Sequence, residues 1–325
     1  MSSRSAPLLT AILCGAVCAA DPPTPTDSIP WDSPQVRTAI EHGIEFLLQD
    51  QNADGSWGGA GGAVYTFSGD VWSNPETHRA WRVATTGLCC MALLEAGDSN
   101  ETRAAAGRSV DYLLNNAVVK RPSEWDLMNS WAYIYGLDAL ATAYAHPLFA
   151  ASSQRDEIAR VAAQLIAKLS QYQTAAGGWT YLELDTPTPR RPTGGASFTT
   201  AAAVVALQNA AAQGFQVDEA MLRRALRAIE RCRLPSGAYT YSIRAIPDPR
   251  HAEWIDRIKG SLARVPTCQV ALLMGGRDIP VDDIRAGLDN LFRYHRFLDI
   301  ARNRPTPHET YYYNSGDFYL FVHYY

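Results

Sequence analysis

The chain has 325 residues, 47% of them apolar and 19% charged, with a net charge of −4. This is ordinary usage for one sizeable globular domain with a large core. No run of Lys or Arg exceeds the pairs Arg190-Arg191 and Arg223-Arg224, which argues against nucleic acid as a partner.

Residues 1–20 read as an export signal. Arg4 gives a positive start, residues 6–17 are largely apolar, and Cys18-Ala19-Ala20 offers small residues for cleavage before Asp21. The apolar run is too short for a membrane span, so no integral membrane protein is expected. Cys18 is the lesser alternative as a lipid-anchored cysteine, because Val17 before it and Gly15 three residues back fit that signal poorly. Residues 21–33 are Pro-rich and read as a linker, and residues 34–325 as the domain. The expected localisation is periplasmic or secreted. Cys89, Cys90, Cys232 and Cys268 remain after cleavage. Three lie in apolar small-residue helices, and neighbours on a helix point about 100° apart. They read as small core residues rather than a disulfide framework.

From residue 35 two kinds of helix alternate. The first kind is long, amphipathic and charged on one side: residues 35–49, 103–115, 155–172, 219–231 and 281–294. Arg103, Asp156, Glu219 and Asp282 recur along it at offsets of 53, 63 and 63 residues, which marks a structural repeat. The second kind is nearly uncharged and rich in Ala, Thr and Leu: residues 85–94, 131–143, 199–207 and 267–273, with residues 318–325 in the same slot. A helix apolar nearly all round is buried. The second kind therefore forms an inner layer and the first its outer wall. The predicted fold is all-α, an α/α barrel (toroid) of about five outer/inner helical hairpins around a central cavity.

A loop motif punctuates the array. Gln51-Asn-Ala-Asp-Gly55-Ser-Trp57 closes the first helix, and Gln173-Thr-Ala-Ala-Gly177-Gly-Trp179 repeats its spacing. A fainter copy, Arg233-Leu-Pro-Ser-Gly237-Ala-Tyr239, keeps the Gly and replaces Trp by Tyr. The Gly is expected to cap the helix in a left-handed conformation, the Gln to tie loose backbone groups, and the Trp to lie under a neighbouring helix end.

These copies resemble the glutamine-tryptophan motif of squalene and hopene cyclases, within the superfamily of prenyltransferase and squalene-oxidase repeats. The resemblance spans roughly residues 35–325 and implies the same toroid, commonly of about six hairpins, so five imply a ring open or incomplete at the C-terminal side. It also implies motifs that can be checked. Class II terpene cyclases protonate an alkene with Asp-x-Asp-Asp, whose carboxyl must be held in its acid form. This chain has no such run. Its Asp282-Asp283 pair starts an outer helix and reads as a helix-start pair. Protein prenyltransferases hold zinc with Asp-x-Cys and a His on the next inner helix. Cys268 matches the cysteine, but Pro266 stands at the Asp and Leu320 at the His, with His323 a turn later. A thiolate zinc site needs three protein ligands. No metal and no cofactor is expected, and the chain leans away from being an enzyme.

The remaining polar and aromatic candidates are few. Trp131, Tyr135, Asp138 and Thr142 share one face of an inner helix. Asp138 is the best single acid, to be weighed against a helix-to-helix hydrogen bond to a Ser or Thr. His308 and His323 are the only bases to set beside it. Trp131, Tyr135, Tyr313 and Tyr319 are candidate ligand-lining residues, the last two in an aromatic segment equally readable as a barrel plug. The expected function is binding of an apolar or glycan small molecule, or of a protein partner, in or around the cavity. The alternative is a lyase, hydrolase or divergent terpenoid-processing enzyme on the same barrel.

Overall fold

The computed structural model describes residues 30, 32–59, 75–119, 129–180, 194–244, 254–302 and 323–325. The expected export signal and most of the linker lie outside these, as do His308, Tyr313 and Tyr319. The chain divides into two compact units, Met1–Gly43 and Ile44–Tyr325, and the boundary falls inside the first helix, α1 (Pro34–Asp50). In the first unit Ser33 opens that helix, its Oγ accepting from Val36 N at 3.2 Å. Arg37 folds back to donate twice to Asp32 O, at 3.0 and 2.8 Å.

The second unit alternates as the sequence predicts. Its outer helices after α1 are α3 (Asn100–Asn116), α6 (Arg155–Tyr172), α8 (Glu219–Cys232) and α10 (Val281–Arg293). Its inner helices are α2 (Pro75–Ala96), α4 (Asn129–Ala145), α7 (Ser197–Ala212) and α9 (Arg264–Met274). Two short helices, α5 (Pro147–Ala150) and α11 (Arg296–Arg302), fill connections. The inner helices pack in chain order, α2 on α4, α4 on α7 and α7 on α9. Each is covered by the outer helix that follows it: α3 on α2, α6 on α4, α8 on α7 and α10 on α9. This is the outer/inner alternation of an α/α toroid. Among the described residues the only sheet is a two-residue antiparallel pair, β1 (Gly195–Ala196) with β2 (Ser242–Ile243).

Composition explains the layers. Every residue from Ser197 to Leu207 is buried, so α7 has no solvent face and is built mostly of Ala, Thr and Val that let neighbours approach. Outer helices after α1 bury one stripe only, such as Met221, Leu222, Ala225, Leu226 and Ile229 of α8, and α1 has no fully buried residue. Two of their starts carry side-chain caps: Ser99 and Thr102 form a reciprocal capping box on α3, and Asp218 Oδ1 accepts from Ala220 N on α8 at 2.7 Å, whereas α6 and α10 start without one. The outer helices match the expected ranges within a few residues. Helix α2 does not, beginning at Pro75 rather than at residue 85. Of the expected terminal helix, residues 318–322 lie outside the described residues, and His323 and Tyr324 are helical.

The loop motif works differently from the expectation in two respects. Gly55 and Gly177 do have left-handed backbones, with φ of 86° and 93°, but they sit in a turn beyond the helix rather than at its cap. There Gly177 N donates to Thr174 O and Thr174 N to Gly178 O, closing the turn. A Cβ on Gly177 would also stand 2.8 Å from Arg224 O, and one on Gly55 2.3 Å from Arg108 O, so the next outer helix requires glycine too. The glutamine, second, ties the loop chiefly to that next helix. Gln173 Nε2 donates to Gly177 O and to Met221 O of α8, both at 2.9 Å. Gln51 does the same with Gly55 O and Ala105 O of α3. Each tryptophan is fully buried and bridges two helices. Trp179 Nε1 donates to Leu169 O of α6 and its N–H to Thr200 Oγ1 of α7, while Trp57 uses Leu47 O and Thr86 Oγ1. In the faint copy Tyr239 is buried, and Arg233 instead pairs with Asp283 at the start of α10.

Candidate functional site

The starts of α4 and α7 lie together. Aromatic side chains start there and continue inward. Trp131 enters near the start of α4 and Phe198 near the start of α7, and their rings stack with centroids 5.9 Å apart. Phe198 meets Tyr241, just before β2, at 5.1 Å. One turn deeper on α4, Tyr135 stacks on Trp131 at 6.1 Å. Tyr324 then meets Tyr135 edge-on at 6.1 Å, and Tyr325 meets Tyr324 at 4.8 Å. Six rings from four separate stretches of chain thus form one continuous path. Tyr135 and Phe198 are buried, whereas Trp131, Tyr241, Tyr324 and Tyr325 keep part of their surface accessible.

The outer end of the path is anchored by a buried cation. Arg264, at the first turn of α9, lies over the Tyr241 ring at 5.5 Å and 3.7 Å from Asp256 Oδ1. It also donates to Gly260 O at 3.0 Å, to Tyr239 O at 3.3 Å and to Ile255 O. Asp256 Oδ1 accepts from Tyr241 N at 2.5 Å, which fixes the backbone that carries the ring. A buried charge is tolerated where it is paired and fully bonded, and this one is.

The inner end is Asp138. It is 2% exposed and sits one turn below Tyr135, seven residues and about 10 Å along the helix axis from Trp131. Asn209 of α7 donates through Nδ2 to Oδ1 at 2.7 Å, and the Tyr324 hydroxyl donates to Oδ2 at 2.8 Å. Thr142 Oγ1 donates to the Asp138 carbonyl and accepts from Asn209 at 3.2 Å, tying the same two helices. Burial pushes the Asp138 carboxyl above the usual carboxylate range, although both hydrogen bonds pull the other way. In its neutral form Oδ1 still accepts from Asn209 while Oδ2–H donates to Tyr324. The Tyr324 hydroxyl is then free to turn to Met91 Sδ, 3.5 Å away. Burial likewise raises the phenols of Tyr135, Tyr324 and Tyr325, so all three stay neutral donors.

The structure places Trp131 and Tyr135 on the ring path, and Asp138 and Thr142 at its inner end. The helix-to-helix bond expected of Asp138 is there as well, with Asn209 as the partner in place of Ser or Thr. His323 is placed against His295, Nε2 to Nε2 at 2.9 Å, on the exposed turn after α10. Cys268 is fully buried in α9, and burial holds its thiol well above the usual value. Among the described residues no group of three or more His, Cys, Asp or Glu side chains is arranged to hold a metal ion. Asp282 and Asp283 stand in the first turn of α10, where their carboxylates pair with Arg285 and Arg233.

Phe198, Tyr241, Asn209 and Arg264 join the candidate site with no sequence motif to mark them, whereas Tyr324 falls in the aromatic C-terminal segment, residues 311–325. Phe198 opens a run of Thr and Ala in which it is the only ring, and that contrast was a usable signal. Asn209 breaks the apolar pattern of α7 in the same way.

No protein-family model matches the chain, and no curated protein matches it. Among solved structures it is similar to a single-residue variant of the type II terpene cyclase MstE from Scytonema in its apo form. The two are 19% identical, the match covers 83% of this chain and 79% of the cyclase, and the TM-score is 0.36. No helix of the described residues is long and apolar enough to cross a membrane.

Proposed function

We propose that the protein is an exported, cyclase-like repeat protein that binds an apolar small molecule along the aromatic path. The observation that carries this reading is the unbroken run of rings from Tyr241 through Phe198, Trp131 and Tyr135 to Tyr324, ending on one buried carboxyl. Apolar sites of this kind combine hydrophobic and aromatic walls with very few polar groups that set orientation. A glycan would need many open donors and acceptors, whereas the polar atoms of Asp138, Asn209 and Arg264 are already engaged with protein. The test is direct. Purified protein is extracted with organic solvent and screened by mass spectrometry for a co-purified ligand, then titrated with an apolar fluorescent dye. Trp131→Ala, at a half-buried position, should weaken dye binding about tenfold or more while the far-ultraviolet spectrum stays unchanged. Full-strength binding by Trp131→Ala, or no binding by the parent protein, would overturn the reading.

A second reading rests on Asp138 itself. Burial raises its carboxyl, the direction that a proton donor to a weakly basic substrate requires. A divergent terpenoid-processing enzyme or hydrolase would then use this acid, and product formation abolished by Asp138→Asn would select it over simple binding.

A further inference from the structure

The Tyr324 side chain occupies its place as a ligand would. An aromatic body lies against Tyr135 and Tyr325, and a single hydroxyl reaches Asp138 Oδ2 at 2.8 Å and Met91 Sδ at 3.5 Å. Tyr324 keeps part of its surface accessible, while Asp138 is 2% exposed and held from the other side by Asn209. When the phenol leaves, Asn209 still holds Oδ1, and Oδ2 is the one atom that needs a new partner. We propose that this place is a hydroxyl-selective subsite: the ligand has an apolar body ending in one neutral hydroxyl, and it binds by displacing Tyr324 from Asp138. The inference rests on the binding function above and specifies its ligand class.

The groups around the subsite set the head chemistry. Asn209, Thr142, Tyr135 and Met91 are neutral, so none of these described groups compensates an anionic head brought into a desolvated space. Arg264 is at the opposite end of the aromatic path and is saturated by carbonyls and Asp256, and Arg155 is spent on the Tyr144 carbonyl and ring. A hydroxyl both donates and accepts, and so can take over the Tyr324 bonds with the carboxyl in either protonation state. A pure hydrocarbon would leave Oδ2 buried without its partner, an outcome that binding sites penalise strongly.

The experiment uses four probes with one body and four heads: 4-butylphenol, butylbenzene, 4-butylbenzoate and 4-butylbenzylamine, each competed against the apolar dye at neutral pH. The phenol is expected to bind about tenfold or more tighter than the other three. Tyr324→Phe, which keeps the ring and removes the competing hydroxyl, should raise phenol affinity by about three- to tenfold, the worth of one neutral hydrogen bond. Asp138→Leu should erase the preference of phenol over butylbenzene. Equal binding of phenol and hydrocarbon, or no response to Tyr324→Phe, overturns the subsite, and the binding function stands if Trp131→Ala still weakens both. Tightest binding by the amine also overturns it, because Asp138 then acts as an ionised counter-charge. Failure of all four probes to displace the dye, with no dye response to Trp131→Ala, overturns both readings together.

Discussion

Gln173 and Arg224 are joined by a forked hydrogen bond, Oε1 accepting from Nε at 3.0 Å and from Nη2 at 2.5 Å. The other end of the same amide donates to Gly177 O and Met221 O, so one side chain couples the loop after α6 to two points on α8. Gln51 and Arg108 repeat the pair between the loop after α1 and α3, with Nε at 3.0 Å. The repeat motif is thus a clamp from one hairpin onto the next, and its arginine lies outside the motif.

Truncating the clamp should cost stability in proportion to burial. Gln173 is 1% exposed, and Gln173→Ala leaves a buried carbonyl and a guanidinium without their partner. A loss of about 1–3 kcal/mol is expected. Gln51 is only half-buried, so water can replace part of its role and Gln51→Ala should lose less. Denaturant melts of both variants check the order. Equal small losses would show that the clamp is replaced by solvent at both sites.

Trp179 carries the heavier load at the same loop. Its indole is 0% exposed and its two N–H groups bridge α6 and α7. Trp179→Ala is expected to cost about 3–5 kcal/mol, the range for a large aromatic removed from a packed site. A loss under about 1 kcal/mol would mean that the neighbouring helix ends close over the gap.

What could be read from sequence follows from where the physics is local. The outer helices were legible because charge, apolar stripe and caps such as Asp218 all act within a few residues. The start of α2 was not, because His78, Arg79 and Arg82 interrupt the apolar pattern. Arg82 is spent on the loop instead, meeting Asp54 at 3.1 Å. The two-residue strands have no pattern to read. Trp131, Tyr135 and Asp138 were placed together by helical spacing alone. Their partners Asn209 and Tyr324 lie 71 and 186 residues from Asp138, and no local rule pairs residues at such separations. Arg108 and Arg224 did leave a trace: each falls five residues after the repeat positions Arg103 and Glu219, where the helices without a Gln clamp carry Val161 and Gly287.

The four cysteines of the domain should behave as inert core thiols. Burial pushes Cys89 up to about 12 and Cys90 to about 11, and holds Cys268 well above its usual value. The thiolate is the reactive form, so almost none exists at pH 8. In protein beginning at Asp21, a thiol-titrating disulfide reagent at pH 8 should react slowly while the fold is intact and find four thiols in guanidinium. Rapid reaction of one thiol in the native state would locate a local opening. Fewer than four in denaturant would reveal a disulfide.

Asp138 predicts how stability depends on pH. Its carboxyl is raised in the folded protein by burial, so the folded chain keeps a proton that the unfolded chain releases above about pH 4. The folded state then binds more protons in the window between the two values. Stability is full below the unfolded value, falls as pH rises through the window, and levels off above the folded value. The slope there approaches about 1.4 kcal/mol per pH unit for this one group. Asn copies the neutral acid, with its oxygen accepting from Asn209 and its amide nitrogen facing Tyr324, and it does not titrate. Asp138→Asn should therefore be close to the parent protein in stability near pH 4 and more stable than it at higher pH, the gain levelling off above the folded value. Paired urea melts across that range measure the difference directly. A difference that stays constant from pH 4 to pH 8 would mean that Asp138 ionises in the fold as readily as in the open chain, and the neutral-acid description of the site would fall with it.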